Sequence, residues 1–380
     1  MIKSIVSLEP DVYKMLPDLA MCDDGSLVCV YRESLVHGRW PFSKIVRQIS
    51  RDGGRNWGQK SVVAEISNSD KEGGWNTPRL LHLGGQRLLM VCDWGPPREN
   101  ETTPNSETYS WHSEDGGESW GASADTGIKG VICPTLFETK SGKILLAACG
   151  AEDSVWSVDL WSSTDQGASW EGPVRISSSP ELELNECTLV QLDDGTLICY
   201  MREDKEQRCA YKSISTDEGQ TWGGPYPTNI LVCVGRPDAR VLRSGEVVIF
   251  YGMGWAPRLL VLHAESQQSA ADPACVENAK KHIAADHRRF FVDHDRSIHP
   301  DGAYSGWVQL PNGDLYVVQY IVDDAPMAHI RSYRISREDW ILCPEGEIIS
   351  IDTSRYKEAL DHELALEASE ARFSKRAAGS

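Results

Sequence analysis

The stretch Ser50–Gly58 reads SRDGGRNWG, and nearly the same words return as SEDGGESWG from Ser113, STDQGASWEG from Ser163 and STDEGQTWGG from Ser215. Every copy fits the frame Ser-x-Asp-x-Gly-x-x-Trp, and successive copies start between 50 and 63 residues apart. A unit recurring at that period is one supersecondary piece repeated through an array. Its chemistry is that of a turn. Asp accepts hydrogen bonds from the loop's own backbone N–H groups, Gly takes a positive φ, and Trp covers the loop with an apolar ring. One carboxylate per copy supplies too few oxygens for a calcium loop.

A second pattern runs beside the first: an apolar segment, a turn, then another apolar segment. It occurs as LPDLAMCDDGSLVCVYRE, TPRLLHLGGQRLLMVCDW, CPTLFETKSGKILLAACG, NECTLVQLDDGTLICYMRE, RPDARVLRSGEVVIFYGM and YSGWVQLPNGDLYVVQYI, six copies centred on Gly25, Gln86, Gly142, Gly195, Gly245 and Gly313. Each predicts a β-hairpin. A third strand precedes each Asp turn (KIVRQI, TYSWH, VDLWS, RCAYKSI) and a fourth follows it. Six four-stranded units whose sheets cannot cover themselves predict an all-β chain, a six-bladed β-propeller of four-stranded antiparallel blades over residues 1–350. IKSIVSL, near the start, is expected as the outer strand of the last blade, beside AHIRSYRIS. Blade five is irregular: no Asp turn follows RLLVLHAES, and residues 267–300 read as a polar insertion. Residues 351–380 are expected to form a helical or flexible tail, packed outside the ring or against another copy in a homo-oligomer.

The chain of 380 residues carries 56 acidic and 38 basic side chains, a net charge of -18, which disfavours nucleic acid and anionic lipid as partners. No apolar run approaches the length of a membrane span, and the start lacks the apolar block of a secretory signal, so a cytoplasmic protein is expected. Its 11 cysteines, an odd number without a CxxC pair, read as buried thiols in a reducing compartment. No His/Cys cluster has metal-ligand spacing, so neither metal nor organic cofactor is expected.

A hairpin returns to the face it left, so the entry of its first strand and the exit of its second share one end of the ring. Nine positions before the turn stand Leu16, Thr77, Cys133, Glu186, Arg236 and Tyr304; seven after it stand Arg32, Asp93, Cys149, Arg202, Gly252 and Tyr320. The Asp turns fall at the other end. Charged and phenolic groups gathered at one mouth mark it as the place for chemistry, or as a set of ion pairs closing the channel.

With Asp-turn repeats in register with six hairpins, the chain resembles the sialidase superfamily over residues 1–350. The resemblance implies that Tyr304 in GAYSGW is the nucleophile, that Glu186 in LNECTL is its base, and that Arg202, sixteen residues on, binds the substrate carboxylate. The substrate class it implies is an acidic mono- or oligosaccharide, a nonulosonic acid glycoside before a uronic acid. An anomeric carbon that already bears a carboxylate repels an anionic nucleophile, so a neutral phenol suits it. Two family features are missing. Met15 in KMLPDL stands where the first arginine belongs, and no Asp lies between Asp24 and Asp52, where the acid/base aspartate belongs. His37 is the substitute acid/base, Asp93 joins the catalytic set, and Arg32 or Arg236 replaces the missing arginine, with Arg79 and Arg296 as further substrate-binding candidates. A uronate lyase using Tyr304 or His37 to take a proton, and a glycan-binding propeller without turnover, are the alternatives.

Overall fold

The computed structural model describes residues 1–37, 42–67, 73–95, 106–152, 155–277 and 287–341, which form six antiparallel sheets arranged as the blades of a propeller. Strands run from the axis outward in chain order; the first blade is Tyr13–Met21, Leu27–Ser34, Phe42–Ser50 and Ser61–Ser67. Blade six is Gly302–Gln309, Leu315–Ile321 and His329–Ile335, and its fourth strand is the N-terminal Ile2–Ser7, paired antiparallel to His329–Ile335. The ring is therefore fastened by strands from both ends of the described chain, as IKSIVSL implied.

The hairpin turns repeat in detail. Gly25, Gly142, Gly195, Gly245 and Gly313 all have positive φ, between 82° and 96°. Each donates its N–H to the carbonyl three residues earlier, at 2.8–3.1 Å. In blade two Gly84 and Gly85 take the positive φ. There the inner strand is split into Gly74–Trp75 and Arg79–His82, both paired with Leu88–Gly95.

The Asp turns do two jobs. In the first, Ser50 Oγ donates to Asp52 Oδ1, which also accepts the Asn56 N–H, each at 2.9 Å, and Gly54 N donates back to Ser50 Oγ. The pattern recurs at Asp115, Asp165 and Asp217. The turn glycine also faces the preceding blade. A Cβ on Gly54 would lie 2.1 Å from the Tyr316 ring of blade six, and one on Gly167 would lie 2.8 Å from Leu89 of blade two. The turn thus locks one blade onto the last. Buried apolar clusters fill the spaces between neighbouring blades, such as Leu19, Tyr31, Val318 and Tyr320 between blades one and six.

Blade five departs from the insertion reading. After a short helix, Gln267–Ala271, capped by Ser266, the strand His287–His294 pairs with Leu259–Glu265 and completes the sheet. Its Phe291 packs into the core shared with blade four, and Phe290 and Val292 into the core shared with blade six. The expected tail at 351–380 lies outside the described residues. The ten described cysteines form no disulfide with one another, and nine of them are buried. Among the described residues no helix is long and apolar enough to cross a membrane.

Candidate active site at the mouth of the propeller

Blades four and six bring two groups together from 118 residues apart. In each, a one-residue bulge interrupts the innermost strand, between Leu184 and Cys187 in one and between Gly302 and Ser305 in the other. Bulges re-aim side chains at the rims of sheets, and here they present Glu186 and Tyr304. Ala303 takes φ 66° to complete the second bulge. Blade five makes room for it with glycine: a Cβ on Gly252 would stand 3.1 Å from that of Ala303, and one on Gly235 3.5 Å from the Tyr304 ring.

Tyr304 Oη donates to Glu186, with both carboxylate oxygens at 2.8 Å. Arg202 Nη1 donates to Tyr304 Oη and to Glu186 Oε2, each at 2.9 Å, while its Nε donates to Asp204 Oδ1 at 2.7 Å. Asn185 holds the other Asp204 oxygen at 2.8 Å. Burial, reinforced by the Glu186 charge, pushes the Tyr304 phenol well above its ordinary range, so it rests as the neutral phenol. Burial works against the Arg202 charge too, but Tyr304, Glu186 and Asp204 outweigh it and hold the guanidinium protonated. Burial also raises Asp204, against the pull of Arg202. The second terminal nitrogen of Arg202, Nη2, has no hydrogen-bond partner among the described residues.

Asp93 is fully buried and bonds to the split in blade two: Thr77 N donates to Oδ1 at 3.0 Å and Asn76 Nδ2 to Oδ2 at 2.9 Å. Thr77 Oγ1 then donates to Cys133 Sγ at 3.6 Å, and that thiol to Glu186 Oε1 at 3.5 Å. Asp93 therefore reaches Glu186 through Thr77 and Cys133.

Arg32 is the cross-strand partner of Met15, and its Nη2 donates to the Met15 sulfur and to the His37 carbonyl while Nη1 donates to Asn76 Oδ1 at 2.8 Å. A guanidinium thus stands over the position where the sialidase pattern has its first arginine, supplied from the neighbouring strand. His37 is on the exposed rim, its Nδ1 2.6 Å from Asp301 Oδ2. Asp301 also receives Tyr13, Tyr320 and Arg258. Burial favours its neutral form, but the bonds from His37 and Tyr13 and the charges of His37 and Arg258 hold it below the usual carboxylate range.

Sequence reasoning missed Asp301, Arg258 and Trp255. Trp255 is partly exposed on a loop of blade five, with Arg258 4.8 Å and Arg202 5.7 Å from its ring centroid. Asp301 stands three residues before Tyr304, in HPDGAYS, and that proximity was the available signal. The other candidates lie elsewhere. Arg296 pairs with Asp323 and Asp324. Arg236 is buried beside blade six and donates to Ser305 O at 3.2 Å. Arg79 sits deeper along the axis, 3.2 Å from Asp18 and 3.6 Å from Asp238. The arginines are thus distributed through the mouth and channel, and Arg202 is ion-paired rather than free.

Comparison with known proteins agrees with this architecture. A BNR repeat-like domain model matches residues 25–317. A sialidase of Micromonospora viridifaciens is 25% identical over 255 residues, a match that spans 56% of this chain and 37% of that protein. Among solved structures, a Dyadobacter fermentans protein of unknown function superimposes with a TM-score of 0.73 at 17% identity, covering 88% of this chain and 97% of its own. The intramolecular trans-sialidase of Ruminococcus gnavus, solved with oseltamivir carboxylate, gives 0.65 at 12% identity, covering 87% and 96%. The chain belongs to the BNR repeat-like family and is a sialidase-like six-bladed β-propeller.

Proposed function

We propose that this propeller hydrolyses the glycosidic bond of a terminal acidic sugar, a nonulosonic acid in preference to a uronic acid. The observation that carries the reading is the triangle of Tyr304, Glu186 and Arg202, closed by bonds of 2.8–2.9 Å. Tyr304 attacks the anomeric carbon as Glu186 takes its proton, and the bond to the leaving oxygen breaks. Arg202 Nη1 already donates to the attacking oxygen and stabilises the charge that develops there. Its Nη2 is left for the substrate carboxylate, with the buried Arg32 as the second cation of the mouth. His37, fixed through Nδ1 by Asp301, protonates the leaving oxygen from Nε2 and later takes a proton from the water that releases the sugar. The raised phenol makes the proton transfer from Tyr304 to Glu186 obligatory, since no free phenolate precedes attack. Oseltamivir carboxylate on the Ruminococcus propeller is in keeping with an anion-binding mouth.

A panel of acidic aryl glycosides tests the substrate class, and Tyr304→Phe tests the nucleophile. The variant should lose about three orders of magnitude or more in kcat on the best substrate, as removal of a covalent nucleophile does. An unchanged rate in Tyr304→Phe would defeat the assignment. Release of an ultraviolet-absorbing unsaturated sugar would replace hydrolysis by elimination.

A further inference from the structure

Two residues deeper than the mouth, the six inner strands place Asp18, Arg79, Thr135, Thr188, Asp238 and Gly306 at symmetry-related positions. Below them, a cavity of about 230 Å³ runs along the axis between the inner strands of blades two to five, from the level of Arg79 and Asp238 toward the hairpin turns. Arg79 is nearly fully buried. Its Nη2 faces Asp18 and Asp238, but Nε and Nη1 have no hydrogen-bond partner among the described residues. The Nε of Arg240, on the cavity wall, and Nε and Nη1 of Arg236 are likewise buried without a partner.

The charges do not balance. Buried Arg79 and Arg236, with Arg240 partly exposed and over the Trp307 ring at 5.8 Å, set three guanidinium groups against the two buried carboxylates of Asp18 and Asp238, whose Oδ1 and Oδ2, respectively, also lack a hydrogen-bond partner among the described residues; there neither Arg236 nor Arg240 forms an ion pair. Buried N–H groups of a cation without acceptors are costly, and the donors of three guanidinium groups outnumber the acceptors that two carboxylates supply. The imbalance is felt at Arg79, whose guanidinium is pulled down to about 10, first by burial and then by Arg236. Thr188 accepts the Ala239 N–H through Oγ1 at 3.1 Å, which leaves its hydroxyl proton to donate into the same space.

We propose that this axial cavity binds a small inorganic anion, held by Arg79 and Arg240 with Thr188. The anion ties the inner strands of blades two, four and five together beneath the mouth. This site is independent of the glycosidase reading and would exist in a propeller with no activity. Arg79 thereby serves the channel, not the substrate.

The test is thermal unfolding of the full chain at fixed ionic strength, with a bulky sodium HEPES medium exchanged stepwise for chloride and, separately, for phosphate. A saturable rise in Tm is expected, because a ligand that binds only the folded state stabilises it in proportion to its occupancy. Arg79→Gln removes the group that spans the channel and can unfold the ring, so the diagnostic variant is Arg240→Gln. It should raise the half-saturating concentration by about tenfold, the loss of one charged hydrogen bond. Bromide-soaked crystals should show an anomalous peak between Arg79 and Arg240. A rise that is linear, unsaturating and identical in wild type and Arg240→Gln would be general salt action and would overturn the proposal, as would bromide-soaked crystals with no peak in the cavity of a protein whose chloride arm saturates. The chloride and phosphate arms distinguish a halide site from an oxyanion site.

Discussion

Arg202 is shared by two carboxylates and a phenol, so replacing it changes more than substrate affinity. Its side chain and that of Glu186 are 11% and 12% exposed. Arg202→Ala would strand Glu186 and Asp204 in a poorly solvated mouth, and urea unfolding should show a loss of about 3 to 5 kcal/mol, as for a broken buried ion pair. Adding Glu186→Gln removes one of the stranded charges, so the double variant should be less destabilised than the sum of the singles. A single variant within about 1 kcal/mol of wild type would mean that solvent already screens the pair. The sequence revealed this triangle because both members of blade four and the tyrosine of blade six occupy repeat-defined positions. Asp301, Arg258 and Trp255 escaped because they sit on loops between strands, where no period assigns a direction. Arg32 was legible as a residue at the mouth, but its reach over Met15 depends on cross-strand pairing that only the register displays.

At the level of the element, two glycines of nearly the same φ separate backbone strain from packing. Gly25 has φ 82° and open space where a Cβ would go; Gly54 has φ 85° and the Tyr316 ring there. Gly25→Ala should cost about 1 to 2 kcal/mol, the left-handed conformation alone, whereas Gly54→Ala should cost roughly 2 to 4 kcal/mol because the contact between blades is also disrupted. Equal losses in chemical denaturation would show that the Asp turn does not hold neighbouring blades together. Its carboxylates also contribute to the acid limit. Backbone and side-chain bonds from Asn56 lower Asp52 to about 2, and bonds with Ser169 and Thr221 do the same for Asp165 and Asp217. A folded value below the unfolded one, near 3.8, contributes stability that is complete above pH about 4 and is lost as pH falls toward 2. Tm should drop through that window, and less steeply in Asp165→Asn; an unchanged slope would remove these turns from the account. The turns and hairpins were readable because Gly, Asp and Trp recur at fixed offsets. The fourth strand of blade five was not, since it follows a helix and residues without an Asp turn, and its place comes from pairing with Leu259–Glu265.

For the whole molecule, the ring depends on a closure between distant parts of the chain. Each blade is covered by two neighbours, so one unfastened sheet weakens both adjoining cores. The closing strand Ile2–Ser7 pairs residues 2–5 with Arg334 through Arg331 and, after a bulge, Ser7 with Ile330; Val6 is buried in the core shared by blades six and one. Lys3 adds a bond to Asp293 of blade five at 2.8 Å, but its side chain is 45% exposed. Lys3→Ala should therefore change stability by less than about 1 kcal/mol. Deleting residues 1–7 should have a much larger effect. It leaves His329–Ile335 as an unpaired edge, removes roughly five backbone bonds at about 1 kcal/mol each, and offers a template for pairing with another chain. Size-exclusion chromatography with light scattering should find the truncated protein self-associated and with a lower Tm. A peptide of sequence MIKSIVSLE added in trans should reverse both the self-association and the loss of Tm by completing the same sheet. Truncated protein that keeps the size and Tm of the full chain would show that the ring holds closed through the packing between blades alone, without its fourth strand in blade six.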